Sequence, residues 1–80
     1  MPRPTTPEGL ALGRVIRRLR TEQEMTQEDF AHVLGVHRNF LSSVERGVAV
    51  PTIVSLRRMA RGLRMRASEL VALVENELGD

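Results

Sequence analysis

The sequence predicts an all-α domain of five short helices. Apolar residues recur at helical spacing in five successive segments, and no segment alternates apolar and polar residues with the period of two that is typical of a strand. Cap residues and glycines mark the segment ends: Thr26 and Thr52 are N-cap candidates, and Gly35 and Gly47 are helix-stop candidates. A chain of 80 residues has room for one domain with a single core.

The first helix is predicted to begin at Pro7, with Thr6 as its N-cap, and to run to about Gln23. Apolar residues at i, i+3, i+4 and i+7 define its buried face: Leu12, Val15, Ile16 and Leu19. The preceding segment, residues 1–6, is rich in proline and threonine and is predicted to be a flexible N-terminal arm. Residues 7–80 are then the single domain.

The second helix is predicted to start after Thr26, with Asp29 three residues later as a variant of the capping box, and to end at Gly35. The third lies between Gly35 and Gly47. The fourth follows Thr52, and its apolar positions include Leu56 and Met59.

The fifth helix is predicted to begin near Ser68 and is more apolar than a core of this size needs. We therefore interpret residues 67–80 as a dimerisation helix, because self-association would bury the surplus. The alternative is that these residues complete the core of a monomer. The predicted interface residues are Leu70, Val71, Leu73, Val74 and Leu78.

The charges are divided unevenly along the chain. The net charge is only +2, since 12 basic residues face 10 acidic ones. The isoelectric point is nevertheless about 11.0, because all 12 basic residues are arginines. Residues 1–66 hold those 12 arginines and 6 acids, whereas residues 67–80 hold 4 acids and no base. A basic body suggests a polyanionic partner. The alternative is an ordinary surface rich in arginine.

Several classes of protein are disfavoured by what the sequence lacks. There is no cysteine, and His32 and His37 have no cluster of ligands near them, so we expect no metal and no cofactor. No apolar run reaches the 18 or so residues of a membrane span, and the N-terminus lacks an apolar signal core, which predicts a cytoplasmic protein. No nucleophile and base pair and no glycine-rich phosphate loop are present, so we expect no enzymatic activity.

Helices two and three, joined by a short turn that contains glycine, predict a helix-turn-helix. The second helix of this motif enters the major groove of DNA with its N-terminal end. Arg38 and Asn39 lie in that first turn, and Arg and Asn pair bidentately with guanine and adenine. The outward arc of the helix contains no carboxylate and consists of Arg38, Asn39, Ser42, Ser43 and Arg46.

The run TQEDFAHVLGVHRNFLSSVERG, residues 26–47, followed by Pro51 and Thr52, resembles the Xre family of phage repressors and Cro proteins. The resemblance extends from Leu12 to about Leu70 and implies a lambda-repressor-like fold. A chain of this length that ends in a short fifth helix is most similar, within this family, to the controller proteins of restriction-modification systems.

The resemblance also implies roles for individual residues. Arg38, Asn39 and Ser43 would contact bases. Phe40 is also a base-contact candidate, and both a thymine-methyl contact and packing in the core remain open for it. The phosphate candidates are Gln27, His37, Ser42, Arg46, Thr52 and Ser55. His37 stands where the family usually has a serine or threonine cap, so it either weakens the helix start or touches DNA. A structural ion pair is expected between Arg20 and Glu45.

The expected function is therefore sequence-specific binding of double-stranded DNA by a homodimer. Its site would be an inverted repeat, and it would regulate its own transcription and that of a restriction-modification system. An antitoxin that binds a toxin partner as well as its own promoter is the alternative. An activator would also need a surface for RNA polymerase, and no residue in the sequence identifies one.

Overall fold

The structure, a computed structural model, describes residues 5–80. These residues form five helices: α1 (Pro7–Glu22), α2 (Gln27–Leu34), α3 (Arg38–Glu45), α4 (Ile53–Gly62) and α5 (Ala67–Leu78). No strand occurs in residues 5–80, and the predicted all-α fold class with a helix-turn-helix at α2 and α3 is confirmed. Most of the predicted N-terminal arm lies outside the described residues.

The N-terminal ends of α1 and α2 have the caps that the sequence predicts. The hydroxyl of Thr6 accepts a hydrogen bond from the backbone N–H of Gly9 at 3.0 Å. Thr26 and Asp29 form a reciprocal capping box. At the other end of α2, Gly35 has a φ of +69°, the left-handed conformation that lets glycine terminate a helix.

Two helices end in the left-handed conformation without a glycine. Glu24 after α1 has a φ of +59°, and Arg64 after α4 has a φ of +62°. In both places the next residue closes the turn, since Met25 donates its N–H to the carbonyl of Arg20 and Met65 donates to Ala60. Residues with a Cβ are strained in this region, so both ends cost stability that glycine would not.

The fifth helix starts at Ala67, close to the predicted start, although Arg66 cannot act as a side-chain cap because a guanidinium has no acceptor. Instead, the carboxylate of Glu69 reaches back and accepts from the backbone N–H of Arg66 at 2.8 Å. This reciprocal half of a capping box explains how the helix begins without serine or threonine.

The core lies where α1 packs against α3 and α5, with α2 packed against α3 and α4, and α4 against α5. The largest side chains that are fully buried there are Phe30, Ile16, Leu41, Met59, Leu70, Val15 and Val44. One crossing is unusually close: a Cβ added to Gly13 of α1 would lie 2.6 Å from the carbonyl oxygen of Val44 in α3. The absence of a side chain at Gly13 therefore sets the distance between α1 and α3.

The prediction that Leu70 belongs to a dimer interface is wrong, because its side chain is completely buried in the monomer core. Leu73 and Val74 are half-buried and pack against that core, and Leu78 is also half-buried. Val71 is 41% exposed. One side of α5 therefore completes the monomer core, and the other side is accessible, as a dimer interface requires.

Candidate nucleic-acid interface

The two faces of α3 differ in burial as the apolar pattern predicts. Leu41 and Val44 are fully buried and hold the helix against α1 and α2. On the outer side, Arg38, Asn39 and Arg46 are exposed, and Ser42 and Ser43 are partly exposed. The structure therefore brings all five outward candidates to one accessible surface.

Behind α3, Arg20 of α1 forms a bidentate ion pair with Glu45, as the family resemblance implies. Nε donates to Oε2 at 2.7 Å and Nη2 donates to Oε1 at 3.0 Å. The third guanidinium nitrogen, Nη1, donates to the carbonyl oxygen of Met25 at 2.7 Å. Only 10% of the Arg20 side chain and 3% of the Glu45 side chain are exposed. The pair thus joins α1, the turn before α2, and α3 through buried, directional contacts.

The hydrogen bonds that Arg20 donates to the Glu45 carboxylate, together with its coulombic attraction, raise the pKa of Arg20 above its ordinary value, although burial opposes that rise. Arg20 therefore stays charged at every pH that proteins tolerate. A pKa that is raised on folding stabilises the folded state while the group is protonated. For Arg20, this stabilisation is lost only at extreme alkaline pH.

Gln27, a predicted phosphate contact, joins this buried pair. Its Nε2 donates to Glu45 Oε1 at 3.0 Å, so that one carboxylate binds residues of both α1 and α2. An amide nitrogen has two N–H groups, which leaves one for a phosphate. Gln27 is therefore held in place by the same carboxylate that positions α3.

His37 caps α3 through its ring. Nδ1 accepts a hydrogen bond from the backbone N–H of Asn39 at 3.0 Å, so the ring takes the place of the serine or threonine cap. An accepting Nδ1 has no proton, which places the proton of the neutral ring on Nε2. This N–H is available to a phosphate at the N-terminal end of α3.

The C-terminal half of the outer face of α3 bonds to the helix itself. The hydroxyl of Ser43 donates to the carbonyl oxygen of Asn39 at 3.0 Å, and Nε of Arg46 donates to the carbonyl of Ser42 at 3.4 Å. Ser43, predicted to contact a base, therefore presents its oxygen as an acceptor. The first turn, with Arg38 and Asn39, is the part of the face with the most freedom to contact a base.

Arg38 has a neighbour that the sequence did not reveal. Glu28 of α2 places its Oε1 3.9 Å from Nη1 of Arg38. A helical wheel of α3 shows an arc without acids, because it ignores the acids that a packed neighbour contributes.

The remaining DNA-contact candidates are Phe40 in α3 and Thr52 and Ser55 at the start of α4. Phe40 is partly buried and packs against the core, with some surface left exposed. Thr52 caps α4 by accepting from the backbone N–H of Ser55 at 3.3 Å. Thr52 is exposed and Ser55 partly so, and the hydroxyl hydrogen of Thr52 is free to donate because the cap uses only its oxygen.

Two further surfaces lie outside the helix-turn-helix. Five arginines of α4 and the following turn are exposed and form no ion pair with any residue between 5 and 80: Arg57, Arg58, Arg61, Arg64 and Arg66. An apolar groove is lined by α1, the loop before α4, α4 and α5, with three acids among its residues. These lining residues are Glu8, Leu12, Val50, Leu56, Val71, Val74, Glu75, Leu78 and Asp80.

Two other kinds of site are absent from the described residues. Across residues 5–80, no group of three or more His, Asp or Glu side chains is arranged to hold a metal ion. Within the same range, every helix is too short or too polar to span a bilayer.

Comparison with known proteins shows the family. A helix-turn-helix family model matches residues 16–70. The control protein C.MunI of Mycoplasma sp is 32% identical over 69 residues, which cover 85% of this chain and 93% of that protein. The HTH-type transcriptional regulator y4dJ of Sinorhizobium fredii, itself uncharacterized, is 38% identical over 60 residues, 75% of this chain and 78% of that one.

Solved structures agree in fold and in family. The crystal structure of the restriction-modification controller protein C.Esp1396I has a TM-score of 0.81 at 29% identity, and the match covers 91% of this chain and 96% of that chain. The same controller is known as a tetramer in complex with its natural 35 base-pair operator. The chain therefore belongs to the helix-turn-helix family of DNA-binding transcriptional regulators, which are not enzymes, and it is related to restriction-modification controller proteins.

Proposed function

We propose that this chain is a sequence-specific regulator that binds an inverted repeat in double-stranded DNA as a homodimer, controlling its own promoter and a restriction-modification system. The observation that carries the proposal is the first turn of α3. Arg38 and Asn39 are exposed there, while the far end of the same helix is held by the buried pair of Arg20 and Glu45. A rigidly held helix end with Arg and Asn at its tip suits the recognition of base edges.

Phosphate contacts would set the register of the protein on the duplex. Three candidates have a free donor: Gln27 through its second amide N–H, His37 through Nε2–H and Thr52 through its hydroxyl. The N-termini of α2 and α4 add backbone N–H groups and a favourable dipole. Ser42, Arg46 and Ser55 are the remaining candidates, and Nη1 of Arg46 is free to donate because only its Nε and Nη2 bond within the helix.

The homodimer is supported by the apolar groove beside α5. Val71 is 41% exposed, and Val50 beside it is 63% exposed. A two-fold contact at this groove would bury both and would set two copies of α3 about one turn of DNA, roughly 34 Å, apart. The tetrameric operator complex of C.Esp1396I supports oligomerisation. The number of subunits and the interface proposed for this chain are argued from its own groove.

The first test is an anisotropy titration of the purified protein against a duplex of its own upstream region and a shuffled duplex of equal composition, at several salt concentrations. We expect a preference of roughly 10³-fold or more for the upstream duplex. Equal binding with the same steep salt dependence would contradict autoregulation, because only the electrostatic contribution would then be present. Binding to neither would favour the antitoxin alternative.

The base-contact role of Arg38 is tested by Arg38→Ala, with Arg57→Ala as the control that removes the same charge from α4. If Arg38 pairs with guanine, its loss should cost about 1 to 3 kcal/mol on the preferred duplex and relax preference at one base pair. Equal losses on preferred and shuffled duplexes would assign Arg38 to a phosphate. Arg57→Ala should leave base preference unchanged.

Sedimentation at tens of micromolar tests the homodimer independently of DNA. The proposal expects a mass of two chains. A monomer mass over that concentration range would contradict it and would leave α5 as a helix that only completes the monomer core.

A further inference from the structure

The helix-turn-helix unit contains one carboxylate that its own structure does not explain. Residues 26–47 include three acids. Asp29 accepts from the backbone N–H of Thr26 in the capping box, and Glu45 accepts from Arg20 and Gln27. Glu28 has no hydrogen bond among the described residues and lies 78% exposed beside Arg38.

A carboxylate at this position opposes DNA binding in general. Glu28 follows Gln27, a phosphate candidate at the N-terminus of α2, so its charge would stand near the DNA backbone. Its favourable interaction with the dipole of α2 would be equally available to an acid elsewhere in that turn. What distinguishes Glu28 is its distance of 3.9 Å from the guanidinium of Arg38.

We infer that Glu28 is a positioning residue for Arg38 that increases discrimination between DNA sequences. An unpaired arginine on an exposed helix tip binds any phosphate within reach, because its long side chain has many rotamers. The Glu28 carboxylate restrains the guanidinium at the tip of α3 and competes with phosphates for it. A guanine repays the loss of that contact with two hydrogen bonds to O6 and N7, whereas a phosphate contact elsewhere must overcome the added repulsion.

This inference rests on the proposed function and predicts different effects on two kinds of duplex. Removal of the charge by Glu28→Gln should raise affinity for a shuffled duplex and lower or leave unchanged the affinity for the preferred one. The ratio of the two dissociation constants should therefore fall by up to about fivefold, the range that an exposed ion pair supplies. Glu22→Gln is the matched control, since it removes the same charge from an exposed residue of α1.

The experiment is a double-mutant cycle measured by anisotropy at one fixed salt concentration. The preferred duplex is selected by the wild-type protein from a randomised pool. The four proteins are the wild type, Glu28→Gln, Arg38→Ala and the double variant, with thermal unfolding of each as a check on folding. If Glu28 acts through Arg38, Glu28→Gln lowers the specificity ratio in the wild type and has no effect on it in Arg38→Ala.

Three results would overturn the inference. An equal gain in affinity for both duplexes, matched by Glu22→Gln, would show a net-charge effect. A fall in the ratio that persists in Arg38→Ala would show that Glu28 acts independently of Arg38. A wild-type ratio near one would refute the proposed function itself, and with it any role of Glu28 in discrimination.

Discussion

The contact between α1 and α3 and the outer surface of α4 and α5 differ in how their side chains are satisfied. At the first, the buried ion pair of Arg20 and Glu45 is completed by Gln27 and a carbonyl oxygen, and no buried side-chain nitrogen or oxygen in residues 5–80 lacks a partner. At the second, five arginines form no ion pair with any residue between 5 and 80, and apolar side chains are exposed, with Ile53 at 65%. The side chains of the first surface are paired and buried within one chain, whereas the second leaves charged and apolar side chains exposed.

The buried contacts between α1 and α3 explain how this small domain holds α3 in place. An 80-residue chain has a marginal core, yet the helix that bears the DNA candidates is held from its buried side, by Leu41 and Val44 along its length and by Glu45 at its end. The surface of α4 and α5 has no such restraint to supply, so it is available to other molecules. Substitutions should therefore act on folding at the first surface and on association at the second.

The largest effect is expected from Arg20→Ala. It leaves the Glu45 carboxylate, with 3% of its side chain exposed, without its partner, and loss of one member of a buried pair costs about 3 to 5 kcal/mol. Urea denaturation measures it. Arg18→Ala is the control, because its bond to Glu77 is exposed and worth about 0 to 1 kcal/mol. Equal losses in the two variants would contradict the comparison.

The next effect is expected from Gly13→Ala, because the new methyl group would meet the carbonyl oxygen of Val44 rather than a movable side chain. Overpacking of this kind costs about 1 to 3 kcal/mol, measured as the change in unfolding free energy. In the control, Gly62→Ala, the methyl group meets side chains and no backbone, namely the end of Leu34 at 2.8 Å and the ring of Phe30 at 3.0 Å, so we expect a smaller loss. A larger loss at Gly62 than at Gly13 would show that the α1–α3 distance is not set by Gly13.

At the second surface, Val71→Asp should weaken self-association with little effect on folding. Val71 is 41% exposed in the groove beside Glu75, so the new charge is both desolvated and repelled in a dimer, for a loss of about tenfold or more in dimer affinity. Sedimentation measures the loss. Val33→Asp, at a site that is 60% exposed on α2, should leave the mass unchanged. An unchanged mass for Val71→Asp would place the interface elsewhere.

The smallest effect is a gain. Arg64→Gly should stabilise the fold by about 0.5 to 1 kcal/mol, because Arg64 has a φ of +62° that glycine adopts without strain. The shift of the urea midpoint at an unchanged slope measures it. Arg58→Gly, inside α4, should destabilise by about 1 kcal/mol. Destabilisation by both variants would show that Arg64 makes contacts worth more than its strain.

Helix caps, helix ends and buried helix faces can be predicted from the sequence alone, because they follow from local rules. Thr6, Thr26 and Thr52 cap the helices that the apolar periodicity predicts, and Gly35 ends α2, because capping and the left-handed conformation depend on neighbours within a few residues. The outward face of α3 was also predictable, since it is the complement of an apolar stripe. The family resemblance added the pair of Arg20 and Glu45, which are 25 residues apart.

Side-chain contacts between different helices depend on how the helices pack and do not follow from local sequence patterns. Gln27 and Glu45 are 18 residues apart, and neither helical periodicity nor capping relates them. The same holds for Glu28 beside Arg38, and for the division of α5 into a buried Leu70 and an exposed Val71, where adjacent residues of one apolar run have opposite environments. These outcomes depend on the distances and angles between packed helices, which local rules do not contain.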